Sequence, residues 1–216
     1  HELAMVMQSI NLKDQLLFKE NNSGSISLTT DNKCLPINED NLIIKAANLL
    51  KSESNLRDVG AQITLNKNIP LGAGLAGGSS DAAATLIALN SLWQLNYSRK
   101  KLEEFAARLG SDVPFCLDGG TQICFGRGEK LERLELESNS MAVILVKDPL
   151  VNISTPWAYS LYKGIYEDKY LEEESDFEIR RQKLRDATWL NPLKPKNSLP
   201  LRNDLQSVIE PLIVSV

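Results

Sequence analysis

The run from Pro70 to Asp81, reading Pro-Leu-Gly-Ala-Gly-Leu-Ala-Gly-Gly-Ser-Ser-Asp, limits what this chain can fold into more than any other stretch. It follows a β-like run, Ala61 to Leu65, and opens a helix-like one from Ala82 to Trp93. Glycine lets the backbone approach a ligand closely and take positive φ. A helix N-terminus adds unbonded N–H groups and a partial positive charge. A glycine turn that runs into a helix is therefore an anion cradle, most often for phosphate. The candidate cradle is Pro70, Gly72, Ala73, Gly74, Leu75, Ala76, Gly77, Gly78, Ser79 and Ser80, with backbone N–H groups from Gly74 to Ser80 as donors.

Three familiar glycine loops compete for this segment. The Walker A form needs a Lys after its last glycine, and none follows here. Gly72, Gly74 and Gly77 match the dinucleotide spacing, but Asn66-Lys67-Asn68 and Pro70 interrupt the strand, and no carboxylate lies between Leu92 and Tyr97. The protein-kinase loop shares that spacing but sits between two strands of a hairpin, whereas here Ala82, Ala83, Leu86 and Leu89 recur at helical spacing. A tightly packed turn that binds nothing is the bland alternative. It does not need the hydroxyls and amides that Gly77 to Ser80 add.

The rest of the chain excludes several classes. At 216 residues it suits one large or two small domains, burying roughly 70% of the unfolded surface. A formal charge of −4 and no basic cluster with interleaved aromatics argue against nucleic acid. No apolar run approaches the ~20 residues of a bilayer span, so no membrane partner is expected. Cys34, Cys116 and Cys124 are odd in number and widely spaced, which speaks against a disulfide framework or structural zinc and for a reducing compartment, the cytoplasm. His1 is the only histidine, so a serine–histidine or cysteine–histidine nucleophile has no partner.

Strand character runs from Val6 to Phe18 and again from Ser25 to Thr29, with the turn Asn21-Asn22-Ser23-Gly24 between. Asp40 or Asn41 caps a helix whose inner face is Leu42, Ile43, Ala46, Ala47 and Leu50. Ser98 caps a further helix that Gly110 ends, and Thr121 to Phe125 and Met141 to Val146 read as strands. Beyond Asp148 the spacing predicts a short helix over Trp157 to Tyr162, a charged helical face over Glu167 to Asp186, a proline loop, and a helix from Asn203 to Ile213. Trp93 and Trp157 read as packing residues. Helices and strands without regular βα alternation imply an α+β fold.

The segment P-x-G-x-G-L-A-G-G-S-S-D-A-A resembles the phosphate loop of the GHMP kinase superfamily. Leu109 to Phe115 (Leu-Gly-Ser-Asp-Val-Pro-Phe), Gly126-Arg127-Gly128-Glu129, Asn203-Asp204-Leu205 and His1-Glu2-Leu3 with Met7-Gln8 follow the order of one branch. Members of that branch phosphorylate the 2-hydroxyl of 4-diphosphocytidyl-2-C-methyl-D-erythritol (CDP-methylerythritol) in the non-mevalonate isoprenoid pathway. The resemblance implies an ATP-binding part of the ribosomal-protein-S5-domain-2-like type over residues 1–148. It also implies the start of a ferredoxin-like part over 149–216. It implies ATP with Mg²⁺ as cofactors, a small-molecule substrate, a monomer or homodimer, and the cytoplasm or, in a plant or alga, the plastid stroma. Relatives carry a P-A-K-I-N-L segment before the first residues matched here and a glycine-rich motif after the last. On this reading the chain is an internal fragment, inactive by itself. Other acceptors (homoserine, mevalonate, a sugar), or nucleotide binding without catalysis, remain open beside it.

Asp112 is the candidate general base. It follows a helix stop and stands before Val113-Pro114, a position expected to hold it out of helix, and a carboxylate there can take a hydroxyl proton. The family's G-[AS]-D-[VI]-P motif makes this Asp catalytic. Ser79 and Ser80 are expected to cap the helix, bond phosphate or touch Mg²⁺, and no other metal site is assigned. By resemblance, Asn41 contacts adenine, His1 the cytosine ring and Thr155 the methylerythritol end, while Tyr159 stacks on cytosine. Asn203-Asp204 is structural.

Overall fold

The computed structural model describes residues 3–56, 58–126, 128–134, 142–148, 151, 153–171, 173–185 and 203–213. They belong to two compact units, His1–Glu135 and Leu136–Val216.

In the first unit the chain runs β1 (Leu3–Gln8), β2 (Gln15–Asn21), β3 (Ile26–Thr30), α1 (Leu42–Ser54), β4 (Gly60–Asn66), α2 (Gly77–Leu92), α3 (Arg99–Leu109), α4 (Val113–Asp118), β5 (Thr121–Gly126) and β6 (Lys130–Arg133). One sheet has the order β1-β5-β6, all antiparallel. The other has the order β2-β4-β3, with β4 antiparallel to β2 and parallel to β3. The strand character from Val6 to Phe18 thus becomes two strands of different sheets. Asp14 stands between them, its carboxylate turned to the amides of Asn68 and Ile69.

The turn after Asn21 does not make a hairpin of β2 and β3, because β4 runs between them. Gly60 begins β4 directly beneath that turn, where the Ala61 amide donates to the Ser25 carbonyl. A Cβ on Gly60 would fall 2.3 Å from Asn21 Oδ1 and 2.4 Å from the Ser25 carbonyl oxygen. Gly60→Ala is expected to cost about 1–3 kcal/mol through this overpacking, lowering the thermal midpoint by about 2–4 °C per kcal/mol. An unchanged melting curve would contradict the close approach.

Asn41 caps α1 by accepting the Ile43 amide, and Ser98 caps α3 by accepting that of Lys101. Ala46 and Ala47 of α1, with Ala82 and Ala83 of α2, are fully buried. Their small size lets the two helices pack closely. Leu50, Leu86, Leu89, Phe105, Ile63 and Leu65 complete a core between the helices and the second sheet. Trp93 is buried and donates to the Gly60 carbonyl.

In the second unit, α5 (Thr155–Tyr166), α6 (Glu174–Arg185) and α7 (Asp204–Ile209) carry the regular structure, with short 3₁₀ turns after α5 and α7. Ala158, Val208 and Ile209 form a small core. Asn203 caps α7 through the amides of Leu205 and Gln206. The charged helical face expected over 167–186 is met chiefly by α6, which buries no residue and carries ion pairs of Arg181 and Arg185 with Glu174 and Glu178. Two expectations fail here. Residues 142–148 form no strand, and Val143, Ile144, Leu145 and Val146 are all exposed, so the apolar run gains no burial to hold it as a strand. Trp157 is 45% exposed rather than packed.

Candidate active site

The cradle is built by backbone conformation rather than by side chains. Gly72 and Gly74 have φ of 61° and 68°, and Ala76 follows at φ 51°, ψ 29°. Three left-handed residues in five turn the chain tightly before it enters α2. That helix starts at Gly77, five residues earlier than the sequence suggests, so Gly77 to Ser80 are its first turn. Ala76 is the N-cap and has no side chain to donate to. Neither Ser79 nor Ser80 caps the helix. Among the described residues, no acceptor meets the amides from Gly74 to Ser79, and these are the donors an anion would find.

Ser80 departs from expectation. Its amide bonds the Ala76 carbonyl at 2.9 Å and its hydroxyl donates to the Gly77 carbonyl at 2.8 Å. Its N–H is therefore spent within the helix rather than offered to phosphate. The Ser79 hydroxyl has no protein partner among the described residues and is left for a ligand.

Asp112 occupies the N-cap of α4 with φ −87° and ψ −13°, a helical conformation. The expected extended backbone is absent because Pro114 lies in the first turn, where a missing N–H costs nothing and the fixed φ starts a helix. The preceding residue that a proline restricts is Val113. The Asp112 carboxylate makes no capping bond and no hydrogen bond or ion pair among the described residues. Burial pushes its carboxyl above the ordinary carboxylate value. Helix α4 packs against α2, and the turn after β5 reaches Ser111, 3.5 Å from the Cβ position of Gly128.

Cys116 links the two halves of the site. Its thiol is pushed up to about 12 by burial first, then by the negative charges of Asp112 and Asp81. Both carboxylates are therefore within electrostatic reach of one side chain on α4. At that value the thiol stays protonated and is no nucleophile.

A charged cluster that sequence reasoning missed lies behind the cradle. Lys67 bonds Asp81 at 2.9 Å and also pairs with Asp14. Burial alone would raise Asp14, but the Lys67 ammonium and the amides of Ile69 and Asn68 outweigh it and hold that carboxyl low. Asp81 is pushed up to about 6, mainly by burial and further by Asp14, against the pull of Lys67. Since its folded value exceeds the ordinary 3.8, the folded state binds this proton more tightly than the unfolded state. The stabilisation is fully present below the ordinary value and is lost as pH rises through about 6. Asp81→Asn is therefore expected to gain in thermal midpoint relative to wild type as pH rises across that window. A pH-independent difference would count against a titrating Asp81. The signal that could have exposed the cluster is a Lys between two Asn directly before the apolar Ile69-Pro70.

The remaining candidates lie on other elements. Asn41 spends its side chain on the Ile43 amide at 2.9 Å and the Pro36 carbonyl at 2.8 Å, so its helix-capping role is occupied. Thr155 and Tyr159 stand four residues apart on α5, hence on one face of it, Thr155 exposed and Tyr159 half-buried. His1 lies outside the described residues.

Residues 41–120 match the family described as the GHMP kinases N terminal domain. Two proteins from strains of Prochlorococcus marinus, each named 4-diphosphocytidyl-2-C-methyl-D-erythritol kinase, are 62% and 60% identical over all of this chain. The chain spans 68% of the length of each. A crystal structure of 4-(cytidine 5'-diphospho)-2C-methyl-D-erythritol kinase superposes with a TM-score of 0.69 at 28% identity, covering 100% of this chain and 70% of that one. The glycine loop thus sits in a fold and a sequence shared with one set of kinases, and the chain belongs to the 4-diphosphocytidyl-2-C-methyl-D-erythritol kinase family of the GHMP kinases.

Proposed function

We propose that Asp112 is the general base of an ATP-dependent kinase and that the amides from Gly74 to Ser79 hold the nucleotide's phosphates. The chain's activity is that of its family: transfer of the γ-phosphoryl group to the 2-hydroxyl of 4-diphosphocytidyl-2-C-methyl-D-erythritol, in the non-mevalonate route to isoprenoids. The observation that carries the site assignment is the uncapped N-terminus of α2, packed against the helix α4 that Asp112 begins, whose carboxylate has no partner among the described residues.

Phosphoryl transfer asks for a gripped triphosphate, neutralised charge and an oriented acceptor. The free amides and the α2 dipole supply grip and positive potential. Asp112 accepts the proton as the acceptor oxygen bonds the γ-phosphorus, while the bond from that phosphorus to the β-phosphate oxygen breaks and ADP leaves. The acceptor hydroxyl is tertiary, hindered and weakly acidic, so a nearby base whose carboxyl is raised by burial is useful. No group of three or more His, Cys, Asp or Glu side chains among the described residues is arranged for a metal. Mg²⁺ would be held chiefly by phosphate and water oxygens, with the Ser79 hydroxyl as the side-chain donor. Such an ion supplies charge neutralisation on the phosphates.

On this reading residues 1–148 are the ATP-binding part and 149–216 open the acceptor part, in which Thr155 meets the methylerythritol end and Tyr159 stacks on cytosine. His1 and Asn41 belong to the same assignment as contacts to cytosine and adenine. Three free thiols suit a cytoplasmic setting. The test is turnover of the whole protein with ATP and, separately, the cytidine-bearing acceptor, mevalonate, homoserine and galactose. Turnover with the first is expected, and turnover with one of the others in its place would overturn the acceptor assignment.

A further inference from the structure

Lys67 follows β4 directly and leads into the phosphate loop. Its side chain is 3% exposed, and the two carboxylates it touches, Asp14 and Asp81, are 2% and 5% exposed. The other oxygen of Asp14 accepts the amides of Asn68 at 2.6 Å and Ile69 at 2.8 Å, and Asp31 accepts the Lys67 amide at 3.0 Å. The ascending limb of the loop is thereby tied by its own backbone to two carboxylates, and by the Lys67 ammonium to a third on α2. That ammonium lies immediately beneath the cradle: a Cβ on Gly77, the first residue of α2, would stand 3.0 Å from Lys67 Nζ.

Stability alone is poorly served by this arrangement. A buried ion pair is often no better than an apolar packing of the same volume, and here two carboxylates share one ammonium. What the cluster does is fix distance and direction. Lys67 joins the strand side of the loop to the helix side, and their separation sets where the free amides converge.

We propose that Lys67 is a positioning residue for the nucleotide, holding the two limbs of the phosphate loop at the separation that ATP requires. The proposal rests on the reading that this loop holds ATP.

The experiment is steady-state kinetics of the whole protein, with circular dichroism to check folding. Lys67→Met is expected to raise KM for ATP by about tenfold, the loss of one charge-assisted hydrogen bond, and to leave KM for the acceptor in place. Because that variant strands two buried carboxylates, the neutral combination Lys67→Met with Asp14→Asn and Asp81→Asn is made beside it. Both Asn side chains keep an acceptor oxygen, so this combination retains the loop's backbone bonds and isolates the ammonium. Its KM for ATP is expected to rise likewise. A neutral combination with wild-type KM for ATP would overturn the proposal. Absence of any ATP-dependent turnover in wild type would overturn the kinase reading instead.

Discussion

Asp112→Asn in the whole enzyme is expected to lower kcat by about 10²–10⁴-fold, the usual effect of removing a general base, with KM for ATP little changed. Asparagine fills the same volume and, since Asp112 makes no capping bond, its loss disturbs no bond that the fold uses. Burial holds this carboxyl above the ordinary value. The base works only when ionised, so kcat/KM should rise with pH along a limb displaced above the usual carboxylate range, and that limb should vanish in the Asn variant. Stopped-time assays of ADP release across the acid range test both statements. A variant turning over at the wild-type rate would return Asp112 to a purely structural place at the start of α4.

Gly77→Ala is expected to reduce kcat/KM for ATP by about 10²-fold, the scale of a misplacement near 1 Å in a reacting geometry. A Cβ there meets Ile69 Cγ2 at 2.9 Å and Lys67 Nζ at 3.0 Å. Relief requires the ascending limb of the loop or the buried cluster to move, and either motion spreads the amides proposed to hold phosphate. Gly78→Ala is the contrast. Its Cβ would approach only Leu42 Cδ1, at 3.7 Å, so the fold should keep or slightly gain stability, by up to about 1 kcal/mol. Equal melting and equal ATP kinetics in Gly77→Ala and wild type would show that the contact has room to relax.

What could be seen in the chain beforehand was what is local. The helix caps at Asn41 and Ser98, the core faces of α1 and α3 and the glycine loop each depend on a few consecutive residues. The first turn of α2 escaped notice because Gly77 and Gly78 are poor helix formers, although at a helix start their amides are unbonded in any case. The family motif singled out Asp112, yet its helical backbone was misjudged, since the restriction by Pro114 acts one residue later. The Lys67 cluster was hidden because its members lie 53 and 14 residues apart, and each alone reads as a surface charge. The same distance effect concealed the order of the second sheet. The turn Asn21 to Gly24 has hairpin chemistry, and only a strand arriving from residue 60 decides that β2 and β3 are parted.

The insertion of β4 between β2 and β3 also dictates an order of events during synthesis. When a ribosome has released residues up to the end of α1, β2 and β3 are complete, yet each still lacks the neighbour it has in the finished sheet. Closure waits for residues 60–66 to emerge and slide between β2 and β3 beneath the turn after Asn21. Pairing of this non-local kind is slow and leaves strand edges open meanwhile. The glycine turn, which follows the end of β4, cannot take shape before that strand has threaded home.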